Sequence, residues 1–349
     1  MNQIIGSSES GDLNEALKGI TGTPALLMLL SSTDKFTEHC AELKKKFPDV
    51  PQIGCKLYFY DSAFHEKLGV VAFYGVTAVT GVLRNVSKAP ITDINTFESN
   101  VRKISPGHED TVCIDFCTGN DACVLTTLSV VLERNGIQLT GGTAWDNMVM
   151  VDGAIYNDAD AYAIVKNTGK VRVYKENLYR PRNNVRYIAS KTNTEKYYIG
   201  ELNGRPAKQV YTEVNHIRDT DVSEHTKKSP FGRLVGKDIF LVGLDDVSGS
   251  GLTCFRQVND SDVLYMMDIL DFNTTVNKTI ERIKKDFSRI SGSFSVNCLY
   301  RYNIFSDSGY LGEYLRLMSQ ITNYCGIIGY GEHYNSHFIN QSMSCVIFE

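Results

Sequence analysis

The sequence lacks any run of about 18 uninterrupted apolar residues, the length a helix needs to cross a bilayer, so no membrane span is expected. It also lacks a surplus of positive charge. Its 36 lysines and arginines stand against 40 acids, for a net charge of −4, whereas a general nucleic-acid binder presents a basic stripe to phosphates. The densest basic stretch, KENLYRPRNNVR at 175–186, is broken by proline and asparagines and reads as a solvated strand or loop. The opening residues, MNQIIGSSESGDLNEALKG, have neither the basic flank nor the long apolar core of a signal peptide, so none is expected. Paired CxxC spacings are missing. The nine cysteines are dispersed, with Cys113, Cys117 and Cys123 the closest group, which predicts free thiols in a reducing, cytoplasmic setting. The phosphate loop GxxxxGK[ST], the zinc motif HExxH and the nucleophile elbow GxSxG are absent too. SGSGL at 248–252 carries serines and glycines without the elbow spacing and predicts a hairpin loop.

What is present is the composition of an ordinary globular protein, 42% hydrophobic and 22% charged. A length of 349 residues exceeds what one core usually holds and predicts two domains or lobes. Apolar residues at helical spacing predict helices around Ala207 to Ile217, Val276 to Ile290 and Leu311 to Ile321, with Pro206 at the first turn. Further helices are expected at 34–47, 93–104 and 121–135. Strands are expected at 25–30, 68–74, 76–83, 111–116, 161–166 and 170–175, and later in DIFLVGL, GLTCFRQV and DVLYMMDIL. Asn167, Thr168 and Gly169 carry hairpin-turn chemistry between two of these strands. A strand, a helix and a second apolar run ending in glycine occur three times, closing on QIGCKLYFYD, QLTGGTAWDN and IIGYGEHYN. The recurrence predicts repeated strand–helix–strand units with a crossover helix between parallel strands. The fold class expected is therefore mixed α/β, two-lobed, with mixed sheets and β-hairpins. Ligands of such sheets commonly settle where strand ends and glycine-rich bends converge.

Several residues near those bends carry chemistry. Trp145, the only tryptophan, sits beside Asp146 in GGTAWDN and can stack on a ligand. Arg301 lies in NCLYRYNIF, read as an apolar strand. A buried arginine must be paired, and Glu332 is the expected partner, the two forming a clamp for a carboxylate. His333 and His337 stand four apart in a stretch that reads as extended, where four residues span about 13 Å, too far for shared coordination. A single histidine could still serve as an axial haem ligand. Cys298 or Cys55 beside a histidine would be the nucleophile of an enzyme; the expectation is that the protein is not one.

Four segments in order, GGTAWDN, ELNGRPAKQVY (Glu201 to Tyr211), NCLYR and GYGEHYNSHFINQSM (Gly329 to Met343), resemble the FIST sensory-domain family. The resemblance implies an N-terminal domain at 1–191 and a C-terminal domain at 201–349. It implies a cytoplasmic sensory module that holds a small ligand, amino-acid-like or another polar metabolite, between two lobes. Occupancy would be relayed to a separate histidine kinase, cyclic-dinucleotide enzyme or chemotaxis receptor, in two-component or chemotaxis signalling. Gly141, Gly142, Ala144 and Asp146 match the family's N-terminal turn, Cys298 and Arg301 its strand motif, and Gly331 with Glu332 its C-terminal turn. The expected ligand-binding set is Gly141, Gly142, Trp145, Asp146, Arg301, Gly331, Glu332, Tyr334 and Asn335, with no cofactor and no metal. Some relatives are haem proteins that sense nitric oxide, which makes His333, His337 or His216 the alternative haem ligand. The first repeat departs from the family: after Gly54 and Cys55 it turns bulky, with Tyr60 where an acid is usual and Asp61 next.

Overall fold

Every residue of the strand LLMLLS is buried, because both faces of the strand are covered. Leu26, Met28 and Leu30 enter one core while Leu27 and Leu29 enter another, the alternation that a period of two imposes. This strand, β1 (Leu26–Ser31), leads through helix α1 (Phe36–Lys46) to β2 (Gln52–Cys55), which lies parallel to it. The structure is a computed structural model in which residues 1–65 and 67–349 are described.

The same unit returns as β3 (Thr111–Cys117), α2 (Asp121–Leu132) and β4 (Gln138–Thr143), again with parallel strands. Strand β5 (Ala159–Lys166) then pairs antiparallel with β3 on its other side. A third unit follows: β6 (Gly292–Cys298), helices α3 (Leu299–Asp307) and α4 (Leu311–Ser319), and β7 (Gly326–Gly329) parallel to β6. The chain ends through β8 (Glu332–Tyr334) and β9 (Ser342–Phe348). Each parallel pair sits inside its own mixed sheet. The first sheet runs Asn2–Ser8, Leu68–Tyr74, β1, β2, Val149–Val151, Ala154–Tyr156. The second runs His337–Ile339, β8, β4, β3, β5, Thr77–Arg84, and the third Val171–Asn177, β9, β6, β7, Tyr58–Tyr60, Phe64–His65. Their inner faces meet in one core that holds Met28 and Ile53, Ile114 and Phe116, and Phe294, Val296 and Ile327. Helix α1 covers Leu27 and Leu29 on the outside of the first sheet, and α2 covers Cys113 and Cys117 on the second.

The chain divides into two compact units, Met1–Glu176 with Val276–Phe338 and Ser342–Glu349, and Asn177–Thr275 with Ile339–Gln341. The sequence halves 1–191 and 201–349 are a different division, drawn along the chain rather than in space. The three repeats belong to the first unit. The second has its own core, in which Tyr211 of the helix Ala207–Asn215 joins Tyr187, Leu202, Phe231 and Leu264. Its antiparallel sheet runs Arg205–Pro206, Glu201–Leu202, Tyr187–Ser190, Val263–Ile269, Phe231–Val235, Asp238–Val242. Ser248 and Gly251 close the expected hairpin in a separate three-stranded sheet.

Two expectations are corrected. Asn167 to Gly169 do not close a hairpin, because β5 pairs with β3 and Thr77–Arg84 while Val171–Asn177 pairs with β9 in another sheet. NCLYRYNIF is not one strand: it leaves β6 at Cys298 and turns helical from Leu299. Ile114 touches the core shared by all three sheets, so Ile114→Ala is expected to cost about 2–5 kcal/mol in urea unfolding. Val130, 56% exposed on α2, should cost less than about 0.5 kcal/mol when changed to alanine.

Candidate functional site

The ends of the three repeats are tied to one another by their main chains. The Trp145 amide, just past β4, donates to the Lys56 carbonyl, just past β2, at 2.9 Å. Past β7, the Tyr330 amide donates to the Thr143 carbonyl at 3.3 Å, and the Thr143 amide donates to the Gly331 carbonyl at 3.1 Å. The Ala144 amide donates to the carbonyl of Cys117, the last residue of β3, at 2.7 Å. Side chains gather on this junction. Lys56 keeps its stem buried, 8% exposed, and pairs through Nζ with Oδ2 of Asp146, 45% exposed, at 2.7 Å. The hydrogen bond to Asp146 raises the lysine's pKa. Trp145 packs against Tyr58 with ring centroids 5.4 Å apart, and Tyr330 is half exposed. Asp146 and Asn147 both take left-handed backbone, φ of 51° and 50°. Acids and amides tolerate that region best, yet two in succession store strain in the turn.

Beneath the junction lies a buried ionic cluster. Strand β8 pairs antiparallel with β4, placing Glu332 opposite Gly142, His333 opposite Gly141 and Tyr334 opposite Thr140. Asp115 of β3 stands on the other side of Gly141. Its carboxylate reaches across that glycine to His333, with Oδ2 2.6 Å from Nδ1. A Cβ on Gly141 would fall 1.8 Å from Asp115 Oδ1 and 2.2 Å from the Asp115 carbonyl. The absent side chain is what lets the two groups meet. On the ring's other side, Nε2 lies 2.9 Å from Asp121 Oδ1 at the start of α2. Burial alone would strip the imidazole of its proton; the Asp115 carboxylate and its neighbours reverse this and hold the pKa well above the usual value.

Arg301 is fully buried, but its ion-pair partner is Glu176 rather than the expected Glu332. The first turn of α3 aims it there. Its Nε donates to Asn297 Oδ1 at 2.8 Å, and its guanidinium lies over Phe305 and Tyr314, 4.6 and 5.2 Å from the ring centres. Glu332 instead accepts hydrogen bonds from the Ser342 amide and hydroxyl at 3.2 and 3.0 Å. Burial pushes its carboxyl up to about 8.

The nine residues expected from sequence thus all lie in the first compact unit. Gly141, Gly142, Gly331, Glu332, Tyr334 and Asn335 come together on β4 and β8, with the Leu139 amide donating to Asn335 Oδ1 at 3.1 Å. Trp145 and Asp146 stand at the junction with Lys56, whereas Arg301 belongs to the Glu176 pair. Among the alternative haem ligands, His333 has both nitrogens facing carboxylates, and His337 and His216 are exposed. In the first repeat, Tyr60 sits in a buried network with Ser295 and Asn297, 2.7 and 2.5 Å away, and Asp61 pairs with His65 at 2.9 Å. Lys56, Tyr58, Asp115, Asp121 and Glu176 were not singled out in the sequence. Asp115 did leave a signal: an acid between Ile114 and Phe116 in a mostly apolar strand demands a partner, by the argument that drew attention to Arg301.

The family model of the FIST N domain matches residues 25–205, more than half of the chain. The protein therefore belongs to the FIST family, a family of sensory domains. Comparison with curated proteins brings up no matching relative. Among the described residues no helix is long and apolar enough to cross a membrane.

Two substitutions probe the geometry. Glu176→Ala leaves the Arg301 guanidinium buried and unpaired, and should cost about 3–5 kcal/mol in urea unfolding. Gly141→Ala meets backbone as well as side chain, so rotamer adjustment cannot relieve it. It should cost about 1–3 kcal/mol and shift the His333 imidazole resonances in NMR spectra.

Proposed function

We propose that this FIST protein is a non-catalytic cytoplasmic sensor that takes up a small zwitterionic or similarly polar metabolite at the junction of the three repeat ends. Lys56 meets the ligand's carboxylate, Asp146 its ammonium or another donor, and Trp145 with Tyr58 flanks its carbon skeleton. The observation that carries this reading is the Lys56–Asp146 pair at the meeting point of main chains from separate repeats. A ligand bearing both charges replaces each partner of the pair with its own complement. Binding produces a signal only if it favours one of two arrangements. The strained turn at Asp146 and Asn147 is the element such a ligand would bias, and a separate signalling protein, a kinase, a cyclic-dinucleotide enzyme or a chemotaxis receptor, would read the result. The non-catalytic reading is supported by Cys55, whose burial pushes its thiol well above the ordinary value, away from the nucleophilic thiolate. Nine free cysteines support a reducing compartment.

The lone tryptophan makes the test direct, since Trp145 reports on this junction alone. Amino acids and small polar metabolites titrated into the protein should include one class that shifts its emission. Lys56→Met and Asp146→Asn should each weaken that binding by about tenfold or more, the loss of one charge-assisted hydrogen bond. A silent tryptophan across the panel, or full affinity in both variants, would discard the reading.

A further inference from the structure

The cluster at the base of α2, tied to the ligand junction through the Cys117 carbonyl and the Thr143 hydroxyl on Asp121, has a second property. Cys117 Sγ, Asp121 Oδ1 and His333 Nε2 form a triangle with sides of 3.8 Å from sulfur to nitrogen, 2.9 Å from nitrogen to oxygen and 3.3 Å from sulfur to oxygen. Around a tetrahedral zinc ion, with bonds of about 2.3 Å to sulfur and 2.0–2.2 Å to nitrogen and oxygen, such atoms stand about 3.4–3.6 Å apart. The triangle needs only a few tenths of an ångström of adjustment to match. His333 is also prepared as a ligand, because its other nitrogen rests on the Asp115 carboxylate at 2.6 Å. That carboxylate–imidazole arrangement fixes the ring and raises its basicity in metal sites.

A further acid borders the triangle. Asp160 of β5 stands opposite Cys117 in the antiparallel register and is fully buried. Neither of its oxygens, nor Asp115 Oδ1, accepts a hydrogen bond from an N–H or hydroxyl group, and the Asp160 carboxyl is hydrogen-bonded to Asp115. Burial, and then the neighbouring Asp115 carboxylate, push the Asp160 carboxyl well above the usual value and favour its neutral form. The N-terminus of α2 works against a cation, but a partial charge there is smaller than the opposing carboxylate charge. Asp121, 13% exposed, gives the site its approach from solvent.

We propose that Cys117, Asp121 and His333 form a binding site for a divalent transition ion of zinc's class, with Asp115 as the positioning carboxylate. Sulfur, nitrogen and oxygen in one set select such an ion over magnesium or calcium, which take oxygen ligands. On binding, the metal displaces the proton between His333 Nε2 and Asp121 to solvent. The Cys117 thiol releases its proton to solvent, and water completes the tetrahedron.

Cobalt(II) tests this on the full chain after dialysis against a chelator. One equivalent should produce a thiolate-to-cobalt charge-transfer band, and zinc should abolish it in competition. Cys117→Ser should lose the band. Asp115→Asn should keep it with affinity about 10–100-fold weaker. Cys123→Ser removes the exposed thiol of the same helix and should leave the spectrum as it was. No band in the unmodified protein at a large excess of cobalt, a band that survives Cys117→Ser, or one that disappears in Cys123→Ser would each overturn the proposal.

Discussion

The Asp115–His333 bond holds the architecture of the second sheet together. It joins residues 218 positions apart in the chain and docks β8 beside β4, through which the third repeat reaches the second. Both groups are fully buried, and a charge in such a place is tolerated only when it is matched. The match is made over Gly141, whose bare backbone is the clearance that the carboxylate crosses. Glycine in a strand interior is otherwise a weakness; here it lets a charge from one strand reach past its neighbour to a second.

The Arg301–Glu176 pair does the same for the third sheet by a different route. The arginine comes from a helix, the glutamate from a strand, and aromatic rings cover the guanidinium. Together the two pairs fix long-range partners with directional bonds, where the apolar core supplies most of the attraction and little of the register.

The repeats were readable because each is a local pattern: an apolar strand, an amphipathic helix and a second apolar run, all within a few dozen residues. The expected and observed parallel pairs coincide for that reason. The hairpin at 167–169 was misread because Asn, Thr and Gly report only on the turn. They carry nothing about β9, which starts 171 positions beyond Val171 and claims Val171–Asn177. Arg301 was correctly recognised as needing an anion, but choosing Glu176 over Glu332 depends on the side-chain directions of the folded sheets. NCLYRYNIF looked extended because its apolar residues fit either period; the break at Cys298 follows from β6 ending there. Lys56 had no sequence signal, since a lysine after a strand is ordinary until its neighbours are known.

The position of β9 bears on how the protein is made. This strand lies inside the third sheet, flanked by Val171–Asn177 and β6, and all seven of its residues are buried. A strand made after both of its neighbours, yet needed between them, leaves their facing edges open until it emerges. Unpaired edges of that kind invite wrong partners. The third sheet is therefore complete only once residues 342–348 arrive to fill the gap.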